Sequence, residues 1–280
     1  MIDYRVMIAG SRGFDSYYLL ESVVGMSLLK RGISPKKYNI IIVCGDAIGA
    51  DKWGNAYADI YGYPVEHYPA LWDDLNAEPC VVAYNKYGKP YNKLAGMNRN
   101  KTMVEISDLV IMFHDGTSSG TQNDLNLCKR LSKDFEYINY KSYADKPTSF
   151  YTGYYANLKH YPIDSLLVSI SQTSPPWLED KPFIIECKSL SPSKNLLYHY
   201  KYETKGFEIY FHNTEEYKRQ FKEETLGRLE FQKVVDTFTS LANGRPVIFL
   251  CYERPEDFCH RHIVGQWFCY NGVHCEEYKI

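Results

Sequence analysis

Three short apolar runs in the first half of the chain each end in a turn of small residues that opens into a helical pattern. After Ala9 comes Gly10-Ser11-Arg12-Gly13, and after Cys44 comes Gly45-Asp46-Ala47-Ile48-Gly49-Ala50-Asp51. After Phe113 comes His114-Asp115-Gly116-Thr117-Ser118-Ser119-Gly120-Thr121. The runs at 5–9, 39–44 and 108–113 are continuous rather than alternating, which marks strands covered on both faces and therefore parallel. Residues 63–68 and 135–140 supply two more, with helical patterns at 17–30, 51–61, 97–106 and 121–133 between them. This rhythm predicts an α/β doubly wound parallel sheet with right-handed crossovers, whose ligands bind outside the carboxyl ends of the strands. Glycine lets a ligand approach the backbone closely, and the helix that follows offers free amides and the positive end of its dipole. Three such loops on one sheet edge describe a pocket for the phosphates of a nucleotide. Its candidate binding residues are Gly10, Ser11, Arg12, Gly45, Asp46, Gly49, Asp51, Gly116, Thr117, Ser118, Ser119, Gly120 and Thr121. Arg12 and Arg99 would be its cations. Asp51 has two equal readings, a ribose hydroxyl partner or a helix-start acid.

Residues 71–93 are too long and aperiodic for an ordinary connection, so they are either a lid or a peripheral insertion. The polar, aromatic stretch after residue 141 marks a boundary, giving a first domain over 1–145, a linker over 146–162 and a second, smaller α/β domain over 163–280. In that domain strands are expected at 165–171, 183–187 and 246–251, and helices at 214–224, 228–242 and 258–270. The 32 basic and 34 acidic residues divide evenly, 16 and 17 up to Asp145 and the same after it, so neither half offers the basic slab that grips duplex DNA. No apolar run is long enough to span a bilayer, and the start lacks signal-peptide anatomy, so a cytoplasmic protein with reduced thiols is expected.

Five segments in order carry a family resemblance: Gly10-Ser11-Arg12; Cys44 to Asp51; Pro69-Ala70-Leu71-Trp72; Ala95-Gly96-Met97-Asn98-Arg99-Asn100; and Asp115 to Thr121. Over residues 4–140 they resemble the SLOG superfamily, in particular its YspA-like branch, related to lonely-guy phosphoribohydrolases and to DprA. The resemblance implies a Rossmann-like fold with a nucleotide or nucleotide-derived small molecule as partner, of the NAD, ADP-ribose or nucleoside phosphate type. Relatives that sense such signals in anti-phage systems suggest a phage or mobile-element protein that sequesters a defence signal in the host cytoplasm, and a homodimer is the default assembly. The lonely-guy catalytic pattern is only approximated. Asn100 stands where the lysine of Arg-Lys-x-x-Met is expected, Asp124 stands at the glutamate position, and Ser118-Ser119 replaces the paired glycine. Binding without turnover is therefore the expected reading. The alternatives are N-glycosidic hydrolysis by Asp124 and Arg99, where a carboxylate would stabilise oxocarbenium-like charge, and a DprA-like accessory role on nucleic acid, which the near-neutral charge disfavours.

The second half ends in Leu250-Cys251-Tyr252-Glu253 followed by Cys259-His260-Arg261-His262. With residues 169–171 and 175–178, this resembles a small family of unknown function marked by Leu-Cys-x-Glu near Cys-His-Arg. Cys259 and His260 at a helix start beside Arg261 suit a thiolate or acid/base site with Glu253 and Cys251. The blander expectation is a structural corner in which Arg261 pairs with Glu253 and Cys259 is buried. Arg261 and His260 could also hold a phosphate without any reaction. Cys251, Cys259, His260 and His262 could supply four zinc ligands, but no Cys-x-x-Cys pair is present, so neither a metal nor another cofactor is expected.

Overall fold

The computed structural model describes residues 1–178, 183–203 and 207–280. The chain forms two compact units, Met1–Ser142 and Tyr143–Ile280. Both are α/β units built on a five-stranded parallel sheet. Among the described residues no helix is long and apolar enough to cross a membrane. None of the eight cysteines is in a disulfide.

The first unit runs β1 (Ile2–Gly10), α1 (Tyr17–Arg31), β2 (Tyr38–Cys44), α2 (Ala50–Tyr61), β3 (Val65–His67), β4 (Val82–Tyr84), β5 (Pro90–Asn92), α3 (Ala95–Ile106), β6 (Leu109–His114), α4 (Ser119–Arg130) and β7 (Asp134–Asn139). Its main sheet has the order β3-β2-β1-β6-β7, so the direction of winding reverses between β1 and β6. Alternate side chains sort to opposite faces. Met7, Val43, Val110 and Met112 pack with Met103 and Val104 of α3 and with Leu125 and Cys128 of α4. On the other face Gly54 brings α2 against Ile8. Residues 71–93 are not structureless. They fold into the antiparallel β4–β5 hairpin, tied down by Asn92 N–H donating to Trp72 O (2.8 Å) and Lys93 N–H to Val81 O (2.8 Å).

The second unit runs β8 (Phe150–Tyr154), β9 (Leu166–Ser169), β10 (Ile185–Glu186), α5 (Lys194–Glu203), α6 (Phe207–Glu224), α7 (Phe231–Ala242), β11 (Val247–Cys251), α8 (His260–Tyr270) and β12 (Cys275–Glu277), with sheet order β10-β9-β11-β8-β12. This corrects the expected linker over 146–162, because β8 lies inside it and pairs with β11 and β12. The strand is hard to recognise because its buried positions are Phe150, Thr152 and Gly153 rather than β-branched aliphatics. Gly153 is required there, since a Cβ would press on Ile248 and Tyr161. The Tyr161 hydroxyl in turn bonds Tyr154 N (2.7 Å) and O (2.9 Å). Phe150, Phe249, Phe238 and Phe268 meet in the core beneath.

Candidate functional sites

In the first unit the loops after β1, β2 and β6 converge at the reversal point, as the glycine pattern predicts. Gly10 lies where β1 touches both β6 and α2. A Cβ there would collide with Phe113 O and stand 2.9 Å from Ala50 Cβ. Gly49, at φ +85°, brings the β2 loop against the β1 loop, with a Cβ only 2.8 Å from Arg12 Cα. Ser11 joins the first and third loops, because its N–H donates to Phe113 O (2.8 Å) and its Oγ accepts from Asp115 N–H (3.0 Å). Gly10→Ala is accordingly expected to overpack this junction and cost about 1–3 kcal/mol. A lowered thermal midpoint would check this, and an unchanged one would show that the loops give way freely.

Two of the three loops turn their amides inward. Asp51, buried at the start of α2, accepts through Oδ2 from Gly45 N–H (3.2 Å) and Ala47 N–H (3.3 Å) of its own loop. Asp115 accepts from Thr117 N–H (2.9 Å) and Ser118 N–H (2.7 Å). Those amides hold its carboxyl down at about 2. Asp46 faces away, with its Oδ1 2.7 Å from His67 Nδ1. His114, buried at the end of β6, bonds Ser118 O through Nε2 (3.0 Å). Ser118 caps α4 by accepting from Thr121 Oγ1 (3.1 Å) and Thr121 N–H (3.5 Å). Ser119 and Gly120 on the first turn of α4 are exposed, and their amides meet no acceptor among the described residues. Arg12 is also exposed.

Beside these loops lies an acidic interior. Asp124, in the second turn of α4, is 2% exposed and turned inward rather than toward solvent. Asn100 Nδ2 donates to both its oxygens (2.8 and 3.0 Å). Burial lifts the Asp124 carboxyl to about 7, against the lowering pull of Asn100 and the Arg99 charge, with Asp51 adding to the rise. Burial also raises Asp51. Arg99 donates to Gly45 O and, at 3.4 Å, to Tyr68 O. Its Nε has no partner among the described residues. It also lines a cleft of about 280 Å³ with Tyr68, Pro69, Leu71, Asn92 and Ala95, so the hairpin segment walls this cleft. Asn92 and Asn100 were not among the expected site residues. Nothing in an isolated asparagine marks it as the partner of a buried acid.

In the second unit the Cys-His-Arg segment folds as a strand end, a loop and a helix start. Cys251 ends β11, Cys259 is the N-cap of α8, and both are 2% exposed. Glu253 Oε2 accepts from Cys259 Sγ (3.0 Å) and Cys251 Sγ (3.4 Å). His260 Nε2 donates to Ile170 O at 2.8 Å, while Nδ1 lies 3.7 Å from Cys251 Sγ and 3.9 Å from Cys259 Sγ. Burial opposes charge on either sulfur and pushes Cys251 well up. On Cys259 the hydrogen bonds from Cys251 and His260 and the charges of His260 and Arg261 outweigh burial, so its thiol is held well below the ordinary range. Of the two sulfurs, Cys259 is the one that loses its proton more easily.

Arg261 does not pair with the Glu253 side chain, contrary to the corner expected from sequence. Its guanidinium donates to Glu277 Oε2 (3.1 Å) and Oε1 (3.3 Å), and to the carbonyls of Glu253 (2.7 Å) and Arg254 (3.0 Å). Burial opposes ionisation of Glu277, but hydrogen bonds from His262, Arg261 and Thr152 bring its carboxyl down to about 2. His262 therefore stands outside the Cys251–Cys259–His260 group, 3.4 Å from Glu277. The short strand β12 that carries Glu277 gave no sequence signal.

Residues 171–272, just over a third of the chain, match the family described as DUF488-N3a, the active DUF488-N3 subclade. No curated protein matches the chain. Among solved structures, DNA processing protein A (DprA) from Streptococcus pneumoniae is 14% identical over 51% of this chain and 62% of that one, with a TM-score of 0.27. The chain thus spans less than two thirds of that protein, and a TM-score this low carries no argument. The class that the fold defines is an α/β protein of two parallel-sheet units.

Proposed function

We propose that the first unit binds a nucleotide or nucleotide-derived small molecule at the carboxyl edge of its sheet, with a phosphate on the first turn of α4. The observation that carries this reading is the contrast between the loop amides and those of the first turn of α4. The amides of Gly45, Ala47, Thr117 and Ser118 are satisfied by internal carboxylates, whereas those of the exposed residues Ser119 and Gly120 meet no acceptor among the described residues. Helix N-termini at such a reversal point receive phosphates in doubly wound sheets. Arg12, exposed on the adjoining loop, supplies the cation. The SLOG-like motifs favour a ligand of the NAD, ADP-ribose or nucleoside phosphate type, held without turnover as a captured signal.

The test is to denature the purified full chain and identify released small molecules by mass spectrometry, then to measure binding of the ligand found. A Cβ at Gly120 meets nothing within 4 Å, so Gly120→Trp leaves the fold intact while filling the space above the amides. It is expected to weaken binding at least about tenfold, the loss of roughly 1.4 kcal/mol. Full affinity in Gly120→Trp would overturn the placement.

A second reading, N-glycosidic hydrolysis, is favoured by one observation, the Asp124 carboxyl near 7. A buried acid at that value can exchange a proton at neutral pH. It predicts time-dependent release of free base from the bound nucleotide, lost in Asp124→Asn. For the second unit, the description of the matched family as active supports a chemical role for Cys259 and His260.

A further inference from the structure

The geometry around Cys251 points to a metal site: we propose that Cys251, Cys259 and His260 bind one zinc-like divalent cation. The sulfurs and a ring nitrogen of Cys251, Cys259 and His260 all lie within 4.8 Å of one another. Zinc bonds of about 2.3 Å to sulfur and about 2.0–2.1 Å to nitrogen or oxygen, at tetrahedral angles, place sulfur about 3.6 Å from the other two atom types. His260 Nδ1 stands 3.7 and 3.9 Å from the two sulfurs. Glu253 Oε2, which accepts hydrogen bonds from both thiols at 3.4 and 3.0 Å, lies outside the ligand group. The S–N spacings are long for a thiol hydrogen bond to either sulfur, but they suit two atoms that share a cation. With a preference for thiolate and imidazole, the donor set selects zinc over magnesium or calcium.

A second, independent observation concerns the far side of the ring. His260 Nε2 donates to Ile170 O at 2.8 Å, so the remaining nitrogen, Nδ1, keeps its lone pair; it stands 3.9 Å from Cys259 Sγ, while Cys251 Sγ lies 3.7 Å from Nδ1 and 3.9 Å from Nε2. A metal-bound histidine typically anchors its other N–H on a carbonyl or carboxylate in this way. The ligands come from different elements. Cys251 ends β11, and Cys259 and His260 open α8; the intervening loop, whose residues Tyr252, Arg254, Pro255, Glu256 and Asp257 are exposed, gives the ion a way in and leaves solvent to complete its coordination. A strand end facing a helix start replaces the Cys-x-x-Cys knuckle. His262, the fourth ligand that the sequence offered, lies outside the group and pairs with Glu277. Binding is a substitution without redox change: protons now held on the thiols and shared with Nδ1 pass to solvent as the cation takes their lone pairs.

The test uses the full chain, reduced and stripped with chelator, titrated with Co²⁺ as the probe. One Co²⁺ per chain is expected, with thiolate-to-cobalt charge-transfer absorption in the near ultraviolet and the visible bands of a tetrahedral site, both erased by added Zn²⁺. Cys251→Ser, Cys259→Ser and His260→Ala should each weaken binding by more than the roughly 10–100-fold that loss of an outer-sphere partner costs. His262→Ala should leave the spectrum unchanged. Absence of the charge-transfer band in the wild-type chain overturns the proposal whatever the variants do, and leaves a metal-free thiolate–imidazole pair. The same spectrum in the Cys251→Ser/Cys259→Ser chain also overturns it, since the cation would then sit elsewhere. Because this unit is tested apart from any nucleotide, the result is independent of the ligand reading for the first unit.

Discussion

Replacing Arg261 with methionine is expected to destabilise the second unit by about 3–5 kcal/mol, the usual consequence of removing one partner of a buried charge pair. The side chain is 0% exposed, so its volume can be matched by methionine but its donors cannot. Two of those donors hold the Glu277 carboxylate and two hold the carbonyls of Glu253 and Arg254. In the variant Glu277 keeps only Thr152 Oγ1 (2.6 Å) and His262, and the two loop carbonyls lose their ties. Each buried acceptor left without a donor costs about 1–3 kcal/mol. The loss should appear as a lower urea midpoint for the transition of the second unit and as faster proteolysis of the 252–258 loop. Arg261→Lys retains the charge without the planar fork, so it should fall between methionine and wild type. A methionine variant within about 1 kcal/mol of wild type would mean that these hydrogen bonds barely exceed what water offers. The loop held by Arg261 also carries Glu253, so the variant should disturb the spacing of the thiol pair as well as stability.

The Glu277 partner of Arg261 lies beyond what the Cys-His-Arg motif reveals in sequence. Glu253 lies eight residues before Arg261 in the same motif, whereas Glu277 sits on a three-residue strand whose letters, Cys-Glu-Glu, resemble a polar tail. Strands such as β2 and β6 were legible because their buried residues form continuous apolar runs, 40–44 and 109–113. β8 was not, because Thr152 and Gly153 are buried for local reasons: Thr152 Oγ1 bonds Glu277, and Gly153 makes room for Tyr161. The glycine loops were legible as turns at the ends of parallel strands, but their electrostatic state was not. Whether an amide points at a ligand or at an internal carboxylate depends on side chains such as Asp51 and Asp115, which any helix-start acid resembles in sequence. The inward direction of Asp124 was hidden for the same reason. At residue 124 the helical face decides between solvent and the α3–α4 interior, and the short polar sequence of α4 leaves that face undefined.

Asp124→Asn is expected to stabilise the first unit at pH 8 and to lose that advantage as the pH falls. The folded carboxyl titrates at about 7, roughly three units above the ordinary aspartate value of about 3.9. Between those values the folded chain holds one proton that the unfolded chain has released, so wild-type stability declines as pH rises. At about 1.36 kcal/mol per unit, the cumulative penalty above pH 7 is on the order of 4 kcal/mol. Asparagine carries no such penalty. It still accepts one hydrogen bond from Asn100 but sacrifices the second, a loss of about 1 kcal/mol. The net gain at pH 8 is therefore about 3 kcal/mol, shrinking through neutrality and turning into a deficit of about 1 kcal/mol below pH 4. Urea unfolding of the full chain at pH 4, 6 and 8, wild type beside variant, checks the size and the direction together. A difference that stays flat across this range would mean that Asp124 is already ionised and well solvated in the folded chain. The expected slope has a functional corollary: an acid kept at such a cost in stability marks a place where chemistry or recognition, rather than folding, has set the residue. If Asp124→Asn gains stability and leaves ligand affinity intact while base release disappears, the residue belongs to hydrolysis. If affinity falls with it and no base release exists to lose, the same carboxyl belongs to binding.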